Sequence, residues 1–170
     1  MGLLTNHQLL EEGIITNVSE ECMGAPVGID LQVEYFSKIV GTGFIPKTGK
    51  TILPKYERLE WEEDNTIMLQ PGSYEVVFVQ GCNFPEDVAG TIIHRSSLLR
   101  SGDLLMSAEF DPGFATDHIG SFMTVITPIR IEKGARLGQM VCHRTEQRAD
   151  LYQGQWQGDI QRLNQVTAKA

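Results

Sequence analysis

Long hydrophobic runs are absent from this sequence. Apolar stretches such as Ile126 to Ile131 are interrupted by Pro128 and Arg130, and they fall far short of the roughly 18 residues that cross a bilayer. The opening residues, Met1 to His7, lack the basic region of a secretory signal and the Arg-rich face of a transit peptide, so a cytoplasmic protein is expected. Basic residues are scarce too: 14 Lys and Arg stand against 22 Asp and Glu, a net charge of −8. That balance excludes a broad nucleic-acid surface, whose affinity comes from cations releasing counterions. A polyanionic ligand must instead be small and met by a few focused cations, with a divalent metal. Cysteine is the third scarcity. Cys22, Cys82 and Cys142 are odd in number, far apart and without C-x-x-C spacing, which argues for reduced, packed thiols over a disulfide framework or a zinc site.

What is present describes one domain. A chain of 170 residues with 41% hydrophobic residues buries roughly 70% of the surface its unfolded form exposes, enough for a core without staples. Punctuation by 17 Gly and 7 Pro between short β-rich segments is the texture of an all-β domain, a sandwich or barrel of jelly-roll type. Strands are predicted at Gln32 to Phe36, Ser73 to Gln80, Gly90 to Ile93, Ile119 to Ile126 and Gln139 to His143, bounded by turn signals such as Asp111-Pro112-Gly113. One short helix precedes them, opened by a capping box of Thr5 and Gln8 and closed near Gly13. The domain is expected to span 1–158, with 159–170 a polar tail.

The most informative local segment is His94-Arg95-Ser96-Ser97-Leu98-Leu99-Arg100-Ser101-Gly102. After a β-branched strand, two serines open a short helical turn that a Gly stops. Free amides at a helix start, two hydroxyls and the guanidiniums of Arg95 and Arg100 suit a phosphate chain. A Ser-capped surface turn with two solvated arginines is the plain alternative.

These residues carry a resemblance. The segment is similar to the Arg-Ser-Ser-Leu-x-Arg-x-Gly motif of the dCTP deaminase and dUTPase superfamily, and the likeness covers nearly the whole chain. Leu4-Thr5-Asn6-His7-Gln8-Leu9-Leu10 resembles the deaminase N-terminal helix, and Gly28-Ile29-Asp30-Leu31 the first motif. Phe110-Asp111-Pro112-Gly113-Phe114 resembles the third motif, Gly134-Ala135-Arg136-Leu137-Gly138-Gln139 the fourth, and Tyr152-Gln153-Gly154-Gln155 the C-terminal one. The resemblance implies a distorted β-barrel of jelly-roll type, assembled as a homotrimer, with nucleotide sites between subunits and Mg²⁺ held on the triphosphate.

The superfamily contains both hydrolases and deaminases. Deamination of cytosine needs a proton shuttle, which the deaminases supply as a Glu about ten residues after the third-motif Asp. Here that position falls on Ser121 or, with a one-residue insertion, Phe122, and no Glu lies between Asp111 and Glu132. Hydrolysis of a phosphoanhydride needs a carboxylate to activate water, a metal on the phosphates and donors for the developing charge. Asp111 occupies the position of the dUTPase base, and Phe114 that of an aromatic ring against the deoxyribose. As a plain alternative, Asp-Pro-Gly is also a common turn former.

The resemblance further implies that Ser96 and Ser97, with Arg95 and Arg100, contact the phosphate chain, and that Gln139, Tyr152 and Gln155 belong to the substrate site. Asp30 either orders the metal's water shell or supports the site. Glu109 could pair with Asp111 or face solvent, Trp156 could stack on a base, and Trp61 sits among acids in a loop. His94 replaces a Gly usual before the Arg and could crowd the pocket. Leu151 replaces a phosphate-contacting Lys, for which Arg148 could compensate. Three readings follow: a dUTP diphosphatase with Asp111 as base, a dCTP deaminase with an atypical shuttle, and a non-catalytic trimer that sequesters a nucleotide.

Overall fold

The computed structural model describes residues 2–158. Along the chain they form β1 (Gly2–Leu3), α1 (Asn6–Glu11), β2 (Ile15–Thr16), a 3₁₀ turn (Glu20–Met23), β3 (Ile29–Val40), β4 (Lys55–Arg58), β5 (Thr66–Leu69), β6 (Gly72–Phe78) and β7 (Gly81–Asn83). After these come β8 (Val88–His94), α2 (Ser96–Arg100), β9 (Leu104–Met106), β10 (Ala115–Thr116), β11 (Gly120–Val125), β12 (Ile129–Glu132) and β13 (Arg136–Arg144). All five expected strands are present, several of them longer than predicted. The fold is mostly β, as the turn-rich texture implied.

The main sheet runs β1-β13-β3-β6-β11-β9, with β4 added to β3 and β8 added to β13, and all its pairings are antiparallel. It curls, because β8 also meets the chain that follows β9: Gly90 and Phe110 exchange backbone hydrogen bonds of 3.0 and 2.7 Å, and the Ile92 N–H donates to the Ser107 hydroxyl at 2.8 Å. Register irregularities at Val33/Tyr35 and Arg136/Gly138 help the sheet bend.

Side-chain alternation sets the inner face. On β11, Ser121, Met123 and Val125 are buried while Phe122 and Thr124 face outward; on β13, Leu137, Met140 and Cys142 point in. Phe36, Phe78, Leu31, Ile119, Met123 and Met140 anchor one continuous core. The three cysteines are free and buried within it, and burial pushes the Cys82 and Cys142 thiols up to about 12. Trp61 leaves its acidic loop to pack on Phe36 at 6.0 Å, its indole N–H donating to the Glu34 carbonyl.

α1 forms where the capping box predicted. The Thr5 hydroxyl accepts the Gln8 N–H at 3.3 Å, the Gln8 side chain accepts the Thr5 N–H at 3.0 Å, and Gly13 leaves the helix at φ +66°. Leu9 on its inner side is fully buried. Among the described residues no helix is long and apolar enough to cross a membrane.

Candidate active site

Asp111 stands on a turn fixed from three sides. Asp111-Pro112-Gly113-Phe114 closes with a Phe114 N–H to Asp111 carbonyl bond of 3.1 Å, and Gly113 sits at φ +83°, which Gly adopts at little steric cost. The Phe84 backbone clamps the turn through its N–H to the Phe114 carbonyl at 2.9 Å and its carbonyl to the Gly113 N–H at 3.0 Å. From the other side the Tyr152 N–H donates to the Pro112 carbonyl at 2.7 Å, and the Gln157 amide donates to the Gly113 carbonyl at 2.8 Å. The Asp111 side chain is exposed at the lip of a cleft of about 250 Å³.

Aromatic rings build the cleft's floor. Phe84 stacks on Phe110 at 6.0 Å, Phe110 meets Phe114 edge-on at 5.4 Å, and Phe114 meets Tyr152 edge-on at 5.7 Å. Such pairs contribute beyond the area they bury and fix ring orientation. Phe114 is buried and lines the cleft with Tyr152 and Trp156, and Leu53, Tyr56 and Phe122 complete the apolar wall. Tyr56 and Phe122 approach at 6.4 Å. Leu53 and Tyr56 escaped the sequence reading, and Phe110 entered it only as part of the third motif; the aromatic spacing of Phe84, Phe110 and Phe114 could have marked Phe110 as a site residue, whereas no local signal marks Leu53 and Tyr56.

Both positions that align with the deaminase shuttle line the cleft, and neither carries a carboxylate. Ser121 is buried, with its hydroxyl committed to the Met106 carbonyl at 2.6 Å, and Phe122 presents a hydrocarbon ring. Glu109 also lines the cleft, but its carboxylate reaches His143 at 3.7 Å, so it does not pair with Asp111.

The predicted phosphate residues lie elsewhere on the chain. Arg95 follows Gly90, the partner of Phe110, by five strand residues, about 16 Å at strand rise. Ser96, Ser97 and Arg100 are exposed on α2, where the Arg100 guanidinium reaches only the Ser96 carbonyl at 3.4 Å. None of Arg95, Ser96, Ser97, Arg100 or Gln139 lines the cleft of Asp111 in the same chain. Gln139 pairs with Asp30 and Ile93 across β13, and its amide donates to the Val27 carbonyl at 2.7 Å. Gln155 lies half-buried in the strap that carries Tyr152 and Trp156, outside the cleft lining.

Asp30 belongs to the Arg95 side. Its buried Oδ2 is 3.2 Å from Arg95 Nε and 3.3 Å from Arg136 Nη1. Burial pushes this carboxyl above its ordinary 3.8, with the two guanidiniums pulling the other way. Asp30 therefore supports Arg95; enclosed by two cations, it is poorly placed for a metal's water shell. Arg148 is taken by Glu86 at 2.6 Å, and His94 turns its Nδ1 to the Leu105 carbonyl at 3.4 Å instead of entering the cleft. Among the described residues no three His, Cys, Asp or Glu side chains gather into a metal site.

Fold and site together define an antiparallel-β domain with a carboxylate turn set over an aromatic cleft and an Arg-Ser-Ser turn at the far end of the adjoining strand. The chain belongs to the dCTP deaminase-like family, whose model matches residues 4–145. It is 33% identical over 159 residues to a probable deoxyuridine 5'-triphosphate nucleotidohydrolase of Aeropyrum pernix, covering 92% of this chain and 98% of that one. To the deoxyuridine 5'-triphosphate nucleotidohydrolase of Methanocaldococcus jannaschii it is 40% identical over 133 residues, 77% of this chain and 85% of the relative. In structure it resembles a 2'-deoxycytidine 5'-triphosphate deaminase from Agrobacterium tumefaciens with a TM-score of 0.65 at 15% identity, covering 87% of this chain and 50% of the other. That last likeness is one of fold.

Proposed function

We propose that the protein is a dUTP diphosphatase that converts dUTP and water to dUMP and pyrophosphate. The observation that carries this reading is the pairing of an exposed carboxylate, Asp111, with a cleft whose shuttle positions are a committed Ser121 and a hydrocarbon Phe122. Names of relatives at 30% identity and above point the same way.

In this reading the nucleoside lies in the aromatic cleft, with Phe114 against the deoxyribose and Tyr152 closing over it from the strap that also carries Gln155. Asp111 accepts a proton from the attacking water as its oxygen bonds to the α-phosphorus, and the bond from that phosphorus to the bridging oxygen breaks, releasing pyrophosphate. Arg95, Ser96, Ser97, Arg100 and Gln139 bind the phosphate chain and meet the charge that develops there. Because they lie at the other end of β8 from Asp111, they serve the site of a neighbouring subunit in a jelly-roll homotrimer. Ile93, Leu99, Met106 and Ile126, each about half exposed in the single chain, offer apolar surface for such an assembly.

Mg²⁺ fits this donor set. The cleft offers oxygen donors only, and Mg²⁺ is commonly bound by one or two carboxylates plus substrate phosphates and water. Bound through the substrate triphosphate, it would supply charge neutralisation of the phosphates. The three buried thiols are in keeping with a reducing, cytoplasmic setting.

The test is direct. Purified protein with Mg²⁺ is incubated with dUTP and with dCTP, and pyrophosphate, ammonia and nucleotide products are followed. Pyrophosphate from dUTP, lost by a factor of about 100 or more in Asp111→Ala, is expected. Ammonia from dCTP would identify a deaminase with an atypical shuttle, and tight binding without turnover a sequestering protein.

A further inference from the structure

The hairpin between β3 and β4 takes no part in the chemistry above, yet it is a built element. Phe44 and Ile52 exchange backbone hydrogen bonds of 2.8 and 2.9 Å, and Gly43 packs so closely under Pro54 that a Cβ there would lie 3.1 Å from the proline ring. Gly41 at φ +84° and Gly49 at φ +101° supply its bends. Its large apolar side chains face solvent: Phe44 is 60% exposed, Ile45 82% and Ile52 61%. An isolated two-stranded ribbon gains little stability of its own in water, and apolar groups gathered on a projection mark a contact surface.

Charge is segregated onto the same element. Between Glu34 and Glu57 the chain carries Lys38, Lys47, Lys50 and Lys55 and no acid. The loop 41–54 itself holds Lys47 and Lys50 with none of the 22 acids, flanked by Lys38 on β3 and Lys55 on β4, so the chain outside the loop holds 12 cations against 22 acids, a balance of −10. A basic, apolar projection and a strongly acidic body on one chain are complementary between copies.

We propose that the hairpin of residues 41–54 is an intersubunit arm that lies on the acidic surface of a second copy of this chain. The inference rests on the trimer reading above and extends it. In a closed ring every copy gives one arm and receives one, so all arms are satisfied. The arm is also coupled to the site: Leu53 at its base and Tyr56 just beyond line the cleft, so docking fixes that wall. An anionic lipid surface fits less well, because a body at −10 is repelled by it.

Sedimentation velocity over a dilution series, at low and high salt, tests the arm in the wild type, in Phe44→Ser/Ile45→Ser/Ile52→Ser and in Lys47→Glu/Lys50→Glu, with circular dichroism reporting the fold. Both variants are expected to dissociate at higher protein concentrations than the wild type, the serine variant by at least about tenfold, since burying one large apolar side chain is worth roughly that factor or more, and the lysine variant through the loss of charge attraction. High salt should loosen the wild type and should not loosen the lysine variant, in which screening relieves a repulsion instead of weakening an attraction. A trimer equally tight in both variants overturns the arm and leaves the trimer reading standing; a wild type that is monomeric throughout sinks both. Should the triple variant misfold, the lysine variant, changed only on the hairpin's outer loop, decides alone. Wild-type binding to phosphatidylglycerol vesicles that is lost in the variants, with assembly unchanged, would also overturn the proposal by making lipid the occupant.

Discussion

The phenolic oxygen of Tyr152 accepts the backbone N–H of Trp156 at 3.3 Å, folding the strap back on itself over Gly154. A Cβ at Gly154 would collide with the Tyr152 ring. Gly154→Ala is therefore expected to expel that ring from its contact with Phe114 and open the cleft. KM for dUTP should rise about tenfold, the worth of one good aromatic pair, with kcat changed far less. A variant with wild-type KM would remove the strap from substrate binding.

A second prediction concerns pH. The folded Asp30 carboxyl titrates above its ordinary 3.8 because it is buried. Between 3.8 and that raised value the folded chain holds a proton that the unfolded chain has released, so the Asp30 contribution to stability falls as pH rises through this window. Urea unfolding of wild type and Asp30→Asn, measured from pH 4 to pH 7, should give a variant-minus-wild-type stability difference that grows with pH. The opposite slope would mean that Arg95 and Arg136 outweigh burial.

Gly81 tests the framework under the site. An added Cβ would lie 2.6 Å from the Asp117 carbonyl and 2.7 Å from that of Thr116, and backbone cannot step aside as a flexible side chain does. Gly81→Ala should destabilise the fold by about 1–3 kcal/mol by forcing β7 from β10, the strand that directly follows Phe114. Unfolding within about 0.5 kcal/mol of wild type would show that the strand pair relaxes freely.

Subunit mixing tests the division of the site. If Asp111 and the Ser96 cradle of one site come from different chains, Asp111→Ala and Ser96→Ala subunits complement each other. Any mixed trimer then holds one intact site, and equal mixing after co-refolding should restore about a quarter of wild-type turnover. No recovery above the separate variants, with mixing verified by mass, would place both groups in one chain's site.

The parts of the fold that were legible in the sequence rest on neighbouring residues. Thr5 and Gln8 specify the α1 cap within one turn, and alternation from Ser121 to Val125 specifies the inner face of β11. Asp111-Pro112-Gly113 gives both the turn and its carboxylate. Pairings such as β5 with β12 were illegible, because four-residue strands joined across the chain carry no periodicity of their own. The placement of Leu53 and Tyr56 in the cleft is set by the curl of the sheet, and the attachment of Arg95 and Arg136 to Asp30 joins three motifs that lie far apart in sequence. Local patterns named the functional groups; tertiary contacts decided which of them meet.

The buried thiols have a practical consequence. Cys82 and Cys142, with thiols raised to about 12, offer a labelling reagent almost no thiolate at neutral pH, and Cys22 has no exposed surface for it to reach. Lys47→Cys would therefore introduce a single reactive handle on the tip of the basic hairpin. A fluorophore or spin label there reports the movements and neighbours of that hairpin without any prior removal of native cysteines, in a background that is spectroscopically silent by construction of its own core.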